Sequence, residues 1–242
     1  MAARVFVPPE RLGAAEVTLE GEPFRHLARV LRVAVGDEVV VFDGRGTAID
    51  ARVLSVGRGA LALALGARRP LPGPAVAITL LQVVPRGERM DLVVQKTTEL
   101  GVGRLVPVLT ARSVARPGPD RARRWRTIAE EASRQCGRAD VPEVSAPLPL
   151  DEALAGTASA EGARYVLWEE ERDRSLRRLL EEARPRAVTL LIGPEGGLDR
   201  AEVAVAADAG FVSVGLGPRV LRSETAAMVA VALAQAAGGG LD

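Results

Sequence analysis

The sequence is poor in the residue types that build metal sites and disulfide frameworks. Its 242 residues include one cysteine, Cys136, and one histidine, His26. A single thiol cannot form an internal disulfide, and one thiol with one imidazole is too few for a structural zinc site. We therefore expect a protein without metal that works in a reducing compartment, the cytoplasm.

Apolar segments suited to a membrane are also missing. The start of the chain lacks the apolar core of a signal peptide. The uncharged run Thr225 to Leu241 is rich in alanine, contains Gln235 and includes three consecutive glycines near its end. Such a run is poor material for crossing a bilayer, so we expect a buried helix and no membrane partner.

The sequence also lacks a large excess of positive or negative residues, with 32 lysine and arginine residues against 31 acidic ones. This balance excludes a uniformly basic nucleic-acid binder, so any RNA contact requires a local patch. One candidate is the stretch from Arg112 to Arg126, whose six arginines are opposed only by Asp120. A solvated helix face is the ordinary explanation of such a run, but arginine is also the main source of phosphate affinity.

Residues 1–68 are predicted to form a small β-barrel domain. Short β-like runs alternate with turn signals at Asp43-Gly44 and Gly57 to Gly59. The predicted strands are 5–7, 17–19, 38–42, 48–56 and 60–65. One amphipathic helix interrupts them from Glu22 to Arg32, with Phe24, Leu27, Val30 and Leu31 on the apolar face and arginines on the other.

A proline-rich linker, Gly66 to Pro74, is predicted to separate this barrel from a second domain spanning 75–242. There the pattern changes to alternating strands and helices, which is typical of an α/β fold with a parallel sheet. The predicted strands are 76–84, 104–109, 165–168, 188–192 and 211–214. The predicted helices are 88–100, 120–137, 175–183, 199–209 and 224–237.

The segment Leu190 to Asp199 carries the sharpest local signal. An apolar strand runs into Gly193-Pro-Glu-Gly-Gly197 just before a helix that Asp199 can cap. Such turns lie where open α/β sheets bind ligands. No Lys-Ser or G-x-G-x-x-G follows, so a phosphate loop is excluded, and Glu195 favours a hydroxylated or cationic ligand. A tight turn that merely needs glycine is the alternative.

A second strand-to-helix junction follows at Val214 to Ala226. It contains a Gly-Pro turn, Arg219 and Arg222, and Ser223 is predicted to cap the next helix. Two such junctions on successive strands can enclose one ligand. The two arginines are either solvated loop residues or contacts to RNA or a carboxylate.

These two segments, Ile192-Gly-Pro-Glu-Gly-Gly-Leu198 and Leu216-Gly-Pro-Arg-Val-Leu-Arg-Ser-Glu-Thr-Ala226, resemble the signature of SPOUT methyltransferases, specifically the RsmE family of 16S ribosomal RNA uridine-N3 methyltransferases. Three further segments, beginning at His26, Gln95 and Glu131, are similar to that family in the same order. The resemblance implies a PUA-like RNA-binding barrel, then an α/β domain with a deep trefoil knot, a homodimer, and S-adenosylmethionine as methyl donor.

The resemblance also suggests which residues do the chemistry. The positions expected to contact the donor are Leu167, Ile192, Gly193, Pro194, Glu195, Gly196, Gly197, Leu216, Gly217, Val220, Leu221 and Ala226. The arginines expected to contact RNA of the small ribosomal subunit are Arg25, Arg29, Arg32, Arg112, Arg123, Arg124, Arg134, Arg138 and Arg219. Trp125 and Cys136 are expected to be packing residues.

Methylation at N3 requires loss of the N3 proton. We expect Arg222 to stabilise the charge that develops on the uracil oxygens, and Glu195 or Glu224 to accept the proton. Two alternatives stay open: a SPOUT enzyme that modifies another base or a ribose, and an RNA-binding assembly factor without catalysis, which would have no use for both glycine turns.

Overall fold

The computed structural model describes residues 3–110, 118–158 and 161–241. Within them the chain divides into two compact units, one made of residues 3–73 and 130–141 and the other of residues 74–129 and 142–241. The change of unit after Gly73 falls in the predicted linker. The segment 130–141, however, lies inside the predicted second domain but packs in the first unit.

The first unit is built on a five-stranded mixed sheet of order β1-β3-β4-β5-β2. Its strands are β1 (Ala3–Phe6), β2 (Glu16–Glu20), β3 (Glu38–Phe42), β4 (Thr47–Val56) and β5 (Ala60–Pro70). Alternate residues point inward, and Leu19, Val41, Leu61 and Leu63 are fully buried. A 3₁₀ turn spans Pro9–Arg11.

Strand β5 is longer than predicted. The linker was expected to begin at Gly66, but β5 continues to Pro70, which pairs with Thr47 of β4. A register shift between Ile49 and Ala51 lets the strand continue past Gly66, at the cost of one irregular position. Proline is tolerated here because it ends the strand.

The predicted amphipathic helix forms with a different geometry. It begins as α1 (Gly21–Phe24) and continues as a π-helical segment, Arg25–Val30. Phe24 and Leu27 are buried as predicted, whereas Val30 is 67% exposed and Leu31 is 44% exposed. The widened turn shifts the positions that share a face, so the assignment of Val30 and Leu31 to the buried face was wrong.

The second unit contains a parallel sheet of order β12-β10-β11-β6-β7-β8, with β9 also paired to β7. Its strands are β6 (Ala77–Val83), β7 (Arg104–Leu109), β8 (Glu143–Val144), β9 (Leu148–Pro149), β10 (Ala163–Leu167), β11 (Ala187–Ile192) and β12 (Val212–Val214). The parallel pairing confirms the predicted α/β class.

The helices of this part of the chain are α2 (Arg89–Glu99), α3 (Pro119–Cys136), α4 (Leu150–Ala155), α5 (Leu176–Ala183), α6 (Arg200–Asp208) and α7 (Ser223–Ala237). Helix α4 and the short strands β8 and β9 were not predicted, because segments this short carry no usable periodicity. Helix α7 packs on β6 and β11 and against α2 and α5. Among the described residues, no helix is both long and apolar enough to span a bilayer.

Helix α7 is buried along one face only. Ala227, Ala230, Val231 and Ala234 are buried, and Gln235 at its end is 2% exposed. The opposite face, which includes Met228, Val229 and Leu233, is half-exposed. The prediction of a helix buried on nearly every face is therefore only half correct within this chain.

Candidate functional site

A pocket lies at the carboxyl ends of three neighbouring strands of the parallel sheet. Leu167 at the end of β10 is in register with Ile192 of β11 on one side and Val214 of β12 on the other. All three residues line the pocket, which has a cavity volume of about 100 Å³ and opens to solvent. This edge is where parallel sheets bind ligands.

The two predicted glycine turns meet in this pocket. Every residue predicted to contact the donor lines this pocket, with one exception. The lining residues are Leu167, Ile192, Gly193, Pro194, Glu195, Gly197, Leu216, Gly217, Val220, Leu221 and Ala226. The exception is Gly196, which lies on the other side of the turn and borders a neighbouring pocket.

Glycine is required at specific points of the wall. Gly197 has φ +72°, and a Cβ built there would collide with the Glu169 carboxylate. A Cβ on Gly215 would lie 2.6 Å from the Glu171 carbonyl oxygen. Gly196, in contrast, has open space around it. Gly197 is therefore favoured by its left-handed backbone, whereas at Gly215 the neighbouring backbone leaves no room for a side chain.

Ser223 holds the two turns together. Its hydroxyl donates to the Gly193 carbonyl oxygen at 2.6 Å and accepts from the Gln82 side-chain amide at 2.9 Å. The residue at the helix N-cap is Arg222, so the prediction of Ser223 as the cap was wrong. The hydroxyl is used for a contact across the sheet edge, which a local pattern cannot reveal.

Gln82 was missed by the sequence analysis. It is fully buried in β6 and lies in register with Ile192, so it extends the row of strand-end residues under the pocket. A glutamine in an otherwise apolar strand is itself a signal, because a buried amide needs partners. Its side chain donates to Ser223 and to the Val83 carbonyl oxygen.

The acidic run after β10 also belongs to the pocket. The run Glu169 to Asp173 is a loop with mostly exposed side chains, and Glu169, Glu171 and Arg172 also line the pocket wall. The Glu171 carboxylate accepts from the Ser213 hydroxyl at 2.7 Å and from two backbone amides. The Ser213 hydrogen bond is the main cause that lowers the pKa of Glu171. Within the described residues, the Glu169 carboxylate has no hydrogen-bond partner, so it is free to bind a ligand.

Glu195, predicted as a proton acceptor, is held in an ion pair. Arg89 at the start of α2 donates to Glu195 Oε1 at 2.5 Å, and the Arg86 backbone amide donates to the same oxygen at 3.0 Å. Burial raises the pKa of Glu195, but hydrogen bonds from its own backbone amide, Arg86 and Arg89 outweigh burial and lower it. A carboxylate in this state is a weak base.

Glu224, the other predicted acceptor, lies on the far side of the same arginine. Its Oε1 is 3.8 Å from Arg89 Nε, and its side chain is 10% exposed. Its Oε2 is buried without a partner among the described residues. Arg89 thus links a carboxylate from each glycine turn, a role that no short-range pattern could indicate.

The two arginines of the second turn differ. Arg219 lines the pocket. The Arg222 side chain is exposed at the start of α7 and makes no hydrogen bond or ion pair with any described residue. Arg222 is not among the residues that line the pocket, but its chain neighbours Leu221 and Ser223 are, so its exposed cation lies beside the pocket and suits the predicted stabilisation of negative charge.

The remaining arginines predicted to bind RNA fall into two groups. Arg25, Arg29 and Arg32 in the first unit, and Arg123 and Arg124 on α3, are exposed. Arg134 pairs with Glu22, and Arg138 is 11% exposed with two hydrogen bonds to Asp140. We therefore assign Arg138 to packing in the first unit rather than to RNA. Arg112 lies outside the described residues.

Two other expectations concern Trp125 and Cys136. Trp125 is buried and donates to Asp91 Oδ1 at 3.0 Å, which confirms its packing role. Cys136, expected to be buried, is exposed on the last turn of α3. Burial, followed by the charge of Arg134, lowers the pKa of His26, so the neutral imidazole is favoured.

Comparison with known proteins gives matches along nearly the whole chain. Residues 72–235 match the family described as RNA methyltransferase domain, and residues 19–65 match the RNA methyltransferase PUA domain. The ribosomal RNA small subunit methyltransferase E of a Synechocystis species is 33% identical over 96% of this chain and 77% of its own length.

Two further relatives agree with this result. The protein of the same name from Mycobacterium bovis is 34% identical over 90% of this chain and 85% of its own length. The crystal structure of the ribosomal RNA small subunit methyltransferase E from Neisseria gonorrhoeae, bound to S-adenosyl methionine, superposes with a TM-score of 0.87. It is 31% identical and covers 98% of both chains.

Proposed function

The chain belongs to the ribosomal RNA small subunit methyltransferase E family, and we propose that this S-adenosylmethionine-dependent enzyme methylates N3 of a uridine in 16S ribosomal RNA. The observation that carries the proposal is the pocket itself. Both signature turns line it, at the carboxyl ends of adjacent parallel strands, and Ser223 ties one turn to the other.

The wall of the pocket fits the methyl donor. Leu167, Ile192, Leu216, Val220 and Leu221 give an apolar surface for a purine. The unpaired Glu169 carboxylate beside Gly197 suits ribose hydroxyls or an ammonium group. When bound, S-adenosylmethionine supplies an electrophilic methyl group on a sulfonium, which becomes a neutral thioether once the methyl has moved to nitrogen.

The protein's own residues prepare the acceptor. The N3 proton must leave as the new nitrogen–carbon bond forms, and the negative charge then spreads over the uracil oxygens. We assign the stabilisation of this charge to Arg222, which is exposed and unpaired among the described residues. A nearby cation lowers the pKa of the N3 group, so the proton can pass to solvent without a strong base.

The two carboxylates are better suited to positioning than to proton transfer. Glu195 is engaged by Arg86 and Arg89, and Glu224 is nearly buried behind Arg89. Single-turnover rates of Glu195→Gln and Glu224→Gln with donor saturating should fall moderately while the pH profile keeps its shape. Loss of the pH dependence in either variant would identify that residue as the base.

The proposal also covers the oligomeric state and the knotted path of the backbone. The half-exposed apolar face of α7, with Met228, Val229 and Leu233, suits a second copy of the chain, so we propose a homodimer. The likeness to the Neisseria gonorrhoeae structure supports a deep trefoil knot that contains the two signature turns. An enzyme for small-subunit RNA would work in the cytoplasm.

The test is incubation of the purified protein with labelled S-adenosylmethionine and unmodified small ribosomal subunits, followed by nucleoside mass analysis. We expect 3-methyluridine with wild type and none with Arg222→Ala. A different methylated nucleoside would favour a SPOUT enzyme for another base or a ribose. RNA binding with neither donor binding nor transfer would favour an assembly factor.

A further inference from the structure

A second pocket adjoins the first across the glycine turn. It lies between the segment that joins β6 to α2, which contributes Arg86, Gly87, Glu88 and Arg89, and the far side of Pro194-Glu195-Gly196. Pro194 and Glu195 border both pockets. The turn is therefore a thin wall, and molecules bound in the two pockets would be neighbours.

The cations around this second pocket are not equivalent. Arg89 is neutralised by Glu195 and lies near Glu224. The guanidinium of Arg86 is exposed, and no described carboxylate pairs with it. Arg121, at the start of α3, reaches the Gly87 carbonyl oxygen at 3.4 Å and is likewise not paired with a described carboxylate. Arg86 therefore lines the pocket, Arg121 lies at its rim through the contact with Gly87, and neither has a carboxylate partner among the described residues.

The positive surface continues away from the pocket along α3. Arg124 pairs with Asp91 of α2 but is 59% exposed, and Arg123 is 75% exposed beside Asp120. The start of α3 therefore lies along the start of α2 and carries exposed cations from the pocket rim outward. A pocket followed by a row of exposed arginines best fits a nucleic-acid strand, whose phosphates are linked in a row.

We propose that this second pocket receives an RNA nucleotide that flanks the acceptor, and that Arg86 and Arg121 bind phosphates at its rim. The inference rests on the proposed function, because it places the RNA substrate beside the methyl donor. The acceptor base itself must enter the donor pocket, since N3 attacks the methyl carbon in line with the sulfur and nothing can lie between them. Guanidinium groups bind phosphate oxygens with two parallel hydrogen bonds.

The test measures RNA binding and donor binding separately on the full-length protein. The variants are Arg86→Ala, Arg121→Ala and Arg86→Lys, with Arg178→Ala as matched control, because Arg178 is an exposed arginine on α5 outside both pockets. We expect Arg86→Ala and Arg121→Ala each to weaken binding of unmodified subunits about tenfold at low salt. Donor affinity should stay within about twofold of wild type in all variants.

A phosphate contact has a further signature. The slope of log affinity against log salt should become shallower by about 0.7 for each phosphate contact removed from a single strand. Arg86→Lys, which keeps the charge, should retain most of the slope. Arg178→Ala should match wild type in affinity and slope.

The outcomes separate this inference from the function on which it rests. If wild type methylates subunits but Arg86→Ala and Arg121→Ala bind them like Arg178→Ala, the second pocket does not hold the RNA. If these variants lose donor affinity instead, the loop after β6 serves the donor pocket and the inference is wrong. If wild type neither binds nor methylates subunits, the proposed function fails as well.

Discussion

The Ser223 hydroxyl donates a 2.6 Å hydrogen bond to the Gly193 carbonyl oxygen, and so joins the second signature segment to the first. The same hydroxyl accepts from the buried amide of Gln82. Gln82, Ser223 and Gly193 thus form a hydrogen-bonded relay that joins two strand ends and one helix start. The shape of the pocket depends on this relay.

We predict that Ser223→Ala weakens donor binding and lowers stability. The substitution removes the donor to the Gly193 carbonyl oxygen and one of the two acceptors of the buried Gln82 amide, which costs about 1 to 3 kcal/mol. Ser223→Thr keeps a hydroxyl and should lose less. Ser145→Ala removes an exposed serine hydroxyl from the same unit and serves as the control. Calorimetric titration with S-adenosylmethionine and urea unfolding would measure both effects, and equal behaviour of the alanine and threonine variants would contradict the relay.

Two adjacent glycines should respond differently to the same change. Gly197→Ala forces a Cβ into a left-handed backbone and against Glu169, whereas Gly196→Ala meets open space. We expect donor affinity to fall about tenfold or more in Gly197→Ala, since such strain costs roughly 1 to 3 kcal/mol. Gly196→Ala should bind the donor like wild type. Titration of both variants with S-adenosylmethionine would measure this difference. A large loss of donor affinity in Gly196→Ala would mean that the turn has a different conformation.

The pKa of Glu171 makes part of the stability depend on pH. Because the folded pKa is lowered, chiefly by the Ser213 hydroxyl, the ionised carboxylate stabilises the fold above the unfolded pKa of about 4.3. This contribution is lost as pH falls through the folded value. We expect wild type to be more stable than Glu171→Gln at pH 7, with the difference shrinking below about pH 4. Unfolding curves at several pH values test this, and a difference that stays constant would exclude the linkage.

Gln235 should be a major determinant of stability in the second unit. Its side chain accepts from the Val76 backbone amide at 3.1 Å and donates to the carbonyl oxygens of Val76 and Gly101. Gln235→Leu leaves these buried groups without partners, and we expect a loss of about 3 kcal/mol in the free energy of unfolding. Gln135→Leu, at an exposed position of α3, is the control. Similar midpoints for the two variants in urea would contradict this role.

The sequence predicted the local features of the site well. Strand-to-turn-to-helix junctions at Gly193 and Gly217 are recognisable because glycine, proline and capping residues act on their immediate neighbours. The strands β3 and β7 have the predicted bounds, and Asp199 caps α6 with a capping box as expected. The residues of the donor pocket were named from the family resemblance, and all of them except Gly196 line the pocket. The side on which Gly196 lies depends on how the turn folds back.

Long-range partners were not predictable. Gln82 and Ser223 are 141 residues apart, and Arg89 and Glu195 are 106 apart, so no periodicity connects them. The exposure of Cys136 and the place of residues 130–141 in the first unit were missed for the same reason. The contact of Glu169 and Glu171 with the pocket was not predicted, because it depends on how the loop after β10 is folded.

By itself the sequence determined the class of fold, the two ligand-binding turns and the family. These depend on hydrophobic periodicity and on short motifs whose residues act on the backbone only a few positions away. Only the tertiary structure decided that Glu195 is an ion-pair partner rather than a free base, that Ser223 connects the turns instead of capping a helix, and that a second pocket lies behind Gly196. The physical reason is that the partners of a buried polar group are chosen by packing, which brings together residues whose spacing along the chain carries no signal.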